Sequence, residues 1–283
     1  RLAEPGEFTK RAFLNGRLDL AQAEAVLDTI RAKTAGGLRI AQEQLRGALS
    51  REIDTVREKL IGLLAHVEAG IDFVEEDIAF IPTVELTAGL RQTYEAVGRL
   101  LAHSREGRIL REGVTAAIIG RPNVGKSSLL NALLKADRAI VTPIPGTTRD
   151  VLEEVLNIRG IPVRLLDTAG IRDTSDPVEQ EGVRRSRVAQ EQADLLLIVL
   201  DGSMPLTPDD RTLLEDACPN VDQKRLVVVN KTDLPGRIDP ALLPPAGSDC
   251  AVAQISAKTG DGLDELRDRI RMLLIRPDFE TRE

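Results

Sequence analysis

Residues 120–127 read Gly120-Arg121-Pro122-Asn123-Val124-Gly125-Lys126-Ser127 and match the phosphate-binding loop (P-loop) pattern Gly-x-x-x-x-Gly-Lys-Ser/Thr. The apolar, β-branched run Val114–Ile119 precedes this loop and predicts a buried strand. Leucines at helical spacing follow the loop and predict a helix. In such a strand–loop–helix unit, backbone N–H groups and the positive end of the helix dipole converge where a phosphate fits. The flanking elements disfavour the alternative, an ordinary glycine turn.

The P-loop residues have separate expected roles. Lys126 is expected to reach the β- and γ-phosphates, and the Ser127 hydroxyl to bind Mg²⁺. The nucleotide contacts predicted in this segment are Asn123, Val124, Gly125, Lys126, Ser127 and Ser128. The loop therefore predicts a nucleotide bound together with Mg²⁺.

Composition limits the classes of partner. The 283 residues are 29% charged and 42% hydrophobic, with a net charge of −7, so no overall positive field attracts nucleic acid. An RNA partner would need a local patch or a second protein. No apolar run approaches the length of a membrane span, and no signal-peptide pattern opens the chain. Cys218 and Cys250 lack metal-ligand spacing and are interpreted as reduced structural thiols of a cytoplasmic protein.

Residues 1–112 are predicted to form an all-α helical-bundle domain. Asp19 can cap a first helix that Gly36-Gly37 would end, a second helix would run from Leu45 to Ile71, and a third from near Pro82 to Leu110. The apolar stripes indicate a bundle core, with a dimer-forming coiled coil as the alternative. The chain opens at Arg1 and ends in a charged segment, so we expect it to be a piece of a longer protein.

Residues 113–275 are predicted to form an α/β P-loop domain with a mostly parallel, doubly wound sheet, because short β-rich runs alternate with helical ones. Residues 235–248, rich in Pro and Gly, predict a surface loop, and a final helix would run from Asp261 to Leu274. The expected strands are Val114–Ile119, Leu152–Ile158, Val163–Leu166, Leu195–Leu200, Leu226–Val229 and Val252–Ile255.

Further motifs follow the P-loop in the order that a GTPase needs, each near the end of an expected strand. Asp167 can hold a magnesium-bound water and the Gly170 amide can sense the γ-phosphate, while Thr148 can complete the Mg²⁺ coordination. The Ala257 amide can read the guanine O6. The predicted contacts are Asp167, Thr168, Ala169, Gly170, Asn230, Lys231, Asp233, Ser256, Ala257 and Lys258.

Asp233 is the residue expected to select guanine over adenine. Its carboxylate can accept two hydrogen bonds from N1 and N2 of guanine, which adenine does not donate. A buried carboxylate left unpaired would cost a few kcal/mol, so the motif predicts GTP rather than ATP.

The hydrolytic residue is not evident from the motifs alone. Ras-like enzymes place a water-orienting Gln directly after Asp-x-x-Gly, and here that position is Ile171. The segment that follows, residues 172–181, offers several acidic candidates.

The segments Pro5–Gly16 and Leu18–Ala25, together with the GTPase motifs, resemble the MnmE (TrmE) family of tRNA-modification GTPases over essentially the whole chain. The resemblance implies a G domain inserted into a helical domain, with residues 276–283 starting the return to that domain. A folate-binding dimerisation domain would precede it. The resemblance also implies a homodimer whose G domains meet in the transition state.

The resemblance assigns further site residues. It implies potassium bound by Asn123, Thr142, Ile144 (through its carbonyl) and Thr147, and a water-orienting Glu179. Nucleotide contacts would extend along the switch I loop, which lies between the P-loop helix and the next expected strand, through Thr142, Pro143, Ile144, Pro145, Gly146, Thr147 and Thr148. Arg17 stands where the family often has a Lys near the folate carboxylates, so charge is kept but geometry differs.

The family's activity is expected to involve partners. The full protein would work as a heterotetramer with MnmG, an FAD enzyme, on the wobble uridine (U34) of certain tRNAs. It would add an aminomethyl or carboxymethylaminomethyl group, with the one-carbon unit supplied by a tetrahydrofolate derivative. Two alternatives are a ribosome-assembly GTPase of the Era or Der type and a nucleotide-gated scaffold whose hydrolysis is incidental.

Overall fold

The computed structural model describes residues 1–72, 82–137, 154–166, 190–216, 223–245, 247 and 249–275. The chain divides into two compact units: unit 1 is Arg1–Ala32 and Gly37–Arg108, and unit 2 is Lys33–Gly36 and Ile109–Glu283. Within the described ranges, no helix is both long and apolar enough to cross a membrane.

The helical part of the chain comprises α1 (Glu7–Leu14), α2 (Leu20–Arg31), α3 (Ala35–Leu45), α4 (Ala48–Asp72) and α5 (Thr83–Glu112). Asp19 caps α2 as expected: its carboxylate accepts from the Gln22 backbone N–H, and the Gln22 side chain accepts from the Asp19 N–H. Such a reciprocal capping box satisfies two backbone donors that the first helical turn leaves unpaired.

The predicted helix ends in this region are wrong at two places. Gly36-Gly37 does not end a helix but lies inside α3, where Gly36 lies against the Gly160 backbone and a Cβ would come 3.2 Å from the carbonyl oxygen. The glycine serves a close approach rather than a helix end. The predicted second helix also begins later, since the chain turns at Gly47 before α4 starts at Ala48.

Removal of the α2 cap tests how much Asp19 stabilises the helical part. Asp19 also accepts a hydrogen bond from the Ser50 hydroxyl, and this bond together with the Gln22 amide holds the pKa of Asp19 below its ordinary value. We expect Asp19→Ala to lower the free energy of unfolding by about 1 kcal/mol at pH 7, measured by urea unfolding followed by circular dichroism.

The effect of Asp19→Ala is expected to depend on pH. Because the pKa is depressed in the folded chain, the ionised carboxylate stabilises above about pH 4, and this contribution is lost as the pH falls through the folded-state pKa. Glu24→Ala is the matched control on an exposed position of α2, with an expected change within about 0.5 kcal/mol. Equal losses in the two variants would contradict the role of the cap.

Unit 2 contains a six-stranded sheet with strand order β2-β3-β1-β4-β5-β6. All neighbouring strands are parallel except β2 and β3, which form an antiparallel hairpin. The strands are β1 (Val114–Ile119), β2 (Glu154–Ile158), β3 (Ile161–Leu165), β4 (Leu195–Asp201), β5 (Lys224–Asn230) and β6 (Cys250–Gln254). The described helices are α6 (Lys126–Asp137), α7 (Pro208–Asp216) and α8 (Leu263–Leu274), with a 3₁₀ turn at Pro240–Leu242.

This topology confirms the predicted fold class. The first strand of the sheet, β1, is central: β3 and β2 lie on one side of it, and β4, β5 and β6 follow in order on the other. The end of β1 is therefore the switch point of a doubly wound sheet, where such sheets bind ligands. Most strand residues are buried and apolar, and β4 is buried except at its last residue, as expected of a parallel sheet. The strand ends differ slightly from prediction. β3 begins at Ile161, two residues before the predicted Val163. Pro162 can belong to the strand because it lies near the hairpin end of the β2–β3 ladder, where a residue without an N–H is tolerated.

Candidate functional site

The P-loop connects β1 to α6 at the predicted place. The ammonium of Lys126, the first residue of α6, donates hydrogen bonds to the carbonyl oxygens of Gly120 and Arg121, both at 2.7 Å. Burial lowers the pKa of Lys126. The loop therefore curls around its own lysine, which lies half-buried at the N-terminus of a helix, where an anion is stabilised.

Close packing explains Gly125. Its φ is 103°, and a Cβ at this position would lie 2.1 Å from Nδ2 of Asn230. Only glycine accommodates both the backbone conformation and the neighbouring amide. The second glycine of the motif is therefore required by Asn230 at the end of β5.

Asn230, the last residue of β5, links the P-loop to the loop after β6. Its buried side chain donates from Nδ2 to the Val124 carbonyl (2.9 Å), and its Oδ1 accepts from the Ala257 backbone N–H (3.0 Å). Both contacts are satisfied, so the three loops are held in one arrangement. The structure thus brings together P-loop and base-loop residues that lie far apart in sequence.

Lys231 makes a second link between the same loops. With φ at 68°, it turns its side chain so that Nζ donates to the Asn123 carbonyl (2.9 Å) and to Oδ2 of Asp201 (2.6 Å). Burial opposes the ionisation of Asp201, but hydrogen bonds from Lys231 and Ser203 outweigh it and keep the Asp201 pKa below its ordinary value. Lys231 is therefore held by a carboxylate on one side and the P-loop backbone on the other.

Asp233 is supported by Ser256. The fully buried Ser256 hydroxyl donates to Oδ1 of Asp233 (2.8 Å) and accepts from the Thr259 backbone N–H (3.2 Å). Asp233 itself is exposed, so its burial would have to come from a bound base. A carboxylate has two acceptor oxygens and can keep the Ser256 bond while it accepts from a base.

Some of the remaining predicted site residues lie inside the described ranges and others outside them. Ser127 and Ser128 lie in the first turn of α6, and Lys258 is exposed beside Ala257. Arg17 lies exposed between α1 and α2, with its backbone N–H on the Ala12 carbonyl. The predictions that fall outside the described residues are Thr142, Pro143, Ile144, Pro145, Gly146, Thr147, Thr148, Asp167, Thr168, Ala169, Gly170 and Glu179, together with Cys218.

Sequence reasoning missed two acidic residues at the site. Asp201 ends β4, and Asp210 lies in α7, where its carboxylate accepts from Nε of Arg121 at 2.8 Å. The position of Asp201 directly after an apolar strand was a usable signal. Asp210 has no comparable local signal, since its pairing with Arg121 is long-range. Among the described residues, no group of three or more His, Cys, Asp or Glu side chains could hold a metal ion.

The sheet order, the strand–P-loop–helix unit and the linked loops after β5 and β6 define a P-loop α/β domain of the GTPase fold class. A family model described as the MnmE helical domain matches residues 20–282. The chain belongs to this family.

Individual proteins are similar to this chain over nearly its whole length. It is 55% identical over 274 residues to the tRNA modification GTPase MnmE of Geobacter sulfurreducens, covering 95% of this chain and 58% of the relative. It is 51% identical over 283 residues to the tRNA modification GTPase MnmE of Lactiplantibacillus plantarum, covering 99% and 60%. The chain thus spans about 60% of the length of these curated relatives.

Solved structures of P-loop proteins also resemble part of the chain. A structure of Era in complex with MgGDPNP and nucleotides of 16S ribosomal RNA is 29% identical, with a TM-score of 0.42, and the match covers 57% of each chain.

Proposed function

We propose that this chain binds and hydrolyses GTP with Mg²⁺ and K⁺, and that hydrolysis requires two G domains to meet. The observation that carries this proposal is the Asn230 side chain, which bonds both the P-loop carbonyl of Val124 and the Ala257 amide. The phosphate loop and the base-reading loops are thereby set at one site, with Asp233 beside them on Ser256. A guanine nucleotide would place its phosphates at the P-loop and its base at Asp233 and the Ala257 amide.

The described residues fit the two ions. Ser127 offers a hydroxyl oxygen in the first turn of the helix behind the P-loop, which suits the oxygen preference of Mg²⁺. Asn123 is exposed and held with φ at 65° by the Lys231 contact to its carbonyl, so its amide oxygen is available to a monovalent cation. Thr148 would complete the Mg²⁺ site, and Thr142, Ile144 and Thr147 the K⁺ site. When bound, the ions supply positive charge that stabilises the phosphates as negative charge develops.

We further propose that Glu179 orients the attacking water and that Asp167, Thr168, Ala169 and Gly170 contact the γ-phosphate side. Ile171, which follows Gly170 directly, offers no polar group that could orient the water. The helical domain would comprise residues 1–112 and 276–283, and the G domain residues 113–275.

The similarity to tRNA modification GTPases supports a cytoplasmic role in the modification of wobble uridine. In this proposal the full-length protein works as a homodimer with MnmG and tRNA. Arg17 would face a tetrahydrofolate derivative in the dimerisation domain. Family membership and identities of 51–55% support these proposals more than they support an Era- or Der-type ribosome-assembly GTPase.

The rate of GTP hydrolysis in different salts tests the ion assignment. We expect the 283-residue chain to hydrolyse GTP at least about tenfold faster in KCl than in NaCl of equal ionic strength, since an added charge at the transition state is worth several kcal/mol. Asn123→Gly, which tolerates the left-handed backbone, is expected to reduce the rate in KCl to the rate in NaCl. Phosphate release in single turnover measures both.

Equal rates in the two salts would contradict the cation assignment. The scaffold alternative is tested in the same series by aluminium fluoride, which mimics the transferring phosphoryl group. A GTPase is expected to form G-domain dimers with GDP, aluminium fluoride and K⁺, measured by size-exclusion chromatography. A scaffold would bind GTP and show neither dimers nor turnover.

A further inference from the structure

The side chain of Arg121 leaves the P-loop and pairs with α7. Its Nε donates to Oδ1 of Asp210 at 2.8 Å, and the Asp210 carboxylate is almost fully buried, with 3% of the side chain exposed. The Arg121 side chain is 25% exposed. The bond raises the pKa of Arg121, so both partners are ionised at neutral pH.

Asp210 is itself rigidly held. Its Oδ2 accepts from the backbone N–H (3.0 Å) and the hydroxyl (2.7 Å) of Thr207, and the Asp210 N–H donates back to that hydroxyl (3.3 Å). Burial opposes ionisation of Asp210, but the Arg121 and Thr207 hydrogen bonds outweigh it and hold the Asp210 pKa below its ordinary value. The first turn of α7 is therefore a fixed anchor for Arg121.

The backbone carbonyl of Arg121 contacts Lys126, the lysine of the P-loop. The Arg121 carbonyl accepts from Nζ of Lys126 at 2.7 Å, beside the Gly120 carbonyl at the same distance. A peptide group whose side chain is anchored has little freedom to rotate its carbonyl. The position of the Lys126 ammonium thus depends on a side chain that points away from it.

A direct role for the guanidinium at the phosphates is the competing interpretation. That role would require Arg121 to leave Asp210, whose buried carboxylate would lose its cation, which costs free energy. A purely stabilising role is the second, and a paired charge at a buried site gives little net stability over an apolar pair. Neither accounts for the Arg121 carbonyl on Lys126.

We infer that Arg121 and Asp210 are a positioning pair for Lys126, which fixes the ammonium where the β-phosphate of a bound nucleotide lies. The inference rests on the proposed function, since it concerns a nucleotide at this site. The first turn of α7 would then contribute to phosphate binding through Asp210.

The test is a mutant cycle on the affinity for a fluorescent GDP analogue, measured by titration of the 283-residue chain. We expect Arg121→Gln and Asp210→Asn each to weaken binding about tenfold, the size of effect expected for one charge-assisted hydrogen bond. The combined variant should be no weaker than either one. In a Lys126→Met background, Arg121→Gln should change the affinity less than twofold, because its effect passes through Lys126.

Thr212→Ala is the matched control, since it removes an exposed hydrogen bond of α7, to the Pro208 carbonyl, and leaves Thr207 and the Arg121–Asp210 pair in place. We expect an affinity within twofold of the parent chain. A full tenfold loss for Arg121→Gln in the Lys126→Met background would overturn the inference, and so would a tenfold loss for Thr212→Ala. If Asp210→Asn does not fold, the Arg121 and Lys126 variants still complete the cycle. A parent chain that binds no GDP analogue would instead contradict the proposed function.

Discussion

Asp233→Asn is expected to convert the site from guanine to xanthine nucleotides. The Asp233 carboxylate accepts from Ser256 through Oδ1 and is exposed to an incoming base. An amide in its place presents a donor to the N2 amino group of guanine, whereas xanthine has an oxygen at that position. We expect the affinity for GDP to fall by at least about a hundredfold, because two hydrogen bonds to a charged acceptor are lost. Affinity for xanthosine diphosphate should rise above that for GDP.

The measurement is competition of GDP and xanthosine diphosphate against a fluorescent nucleotide. Asp239→Asn is the matched control: this exposed carboxylate follows the same loop and accepts only from the nearby Ala241 N–H among the hydrogen bonds described. It should leave the preference for guanine unchanged. An Asp233→Asn chain that still prefers GDP would refute the base assignment.

Gly125→Ala is expected to abolish nucleotide binding and to lower stability. The new Cβ would lie 2.1 Å from Nδ2 of Asn230, at a φ of 103° that L-residues rarely adopt. Asn230 would have to leave the Val124 carbonyl, which separates the P-loop from the base loops. We expect a loss of about 4 kcal/mol in the free energy of unfolding, from backbone strain, overlap and unpaired buried groups together.

Gly160→Ala separates the backbone strain from the overlap. Gly160 has a φ of 89° in the β2–β3 turn, and a Cβ there would meet nothing within 4 Å. It should cost only about 1–2 kcal/mol and leave nucleotide affinity unchanged. Calorimetry and nucleotide titration on both variants provide the comparison. Similar losses of stability and affinity in both would show that overlap with Asn230 is unimportant.

Local pattern was enough to predict the parts of the fold that repeat a local rule. The apolar runs gave β1, β4 and β5 to within two residues, and the motif spacing placed the P-loop between β1 and α6. Parallel strands bring their carboxyl ends to one edge, so Asn230 and Ala257 were expected near the P-loop.

What depends on distant contacts was not predictable. The local pattern at Gly36 predicts a helix end, because glycine often follows the last residue of a helix, but in this chain the glycine accommodates the Gly160 carbonyl from another element. The Arg121–Asp210 pair joins residues that no local pattern relates. The hydrogen bond from Ser256 to Asp233 likewise joins two loops that lie 23 residues apart in sequence, which composition does not report.

Asn230 and Lys231 give the site a property that matters for redesign. Each reaches from the end of β5 into the P-loop backbone, one to the Val124 carbonyl and the other to the Asn123 carbonyl. A base-reading loop grafted from another protein would bring its own backbone path and leave these carbonyls without their donors. The transplantable module is therefore the discontinuous set of P-loop, Asn230-Lys231 and the Ala257 turn, exchanged together or not at all.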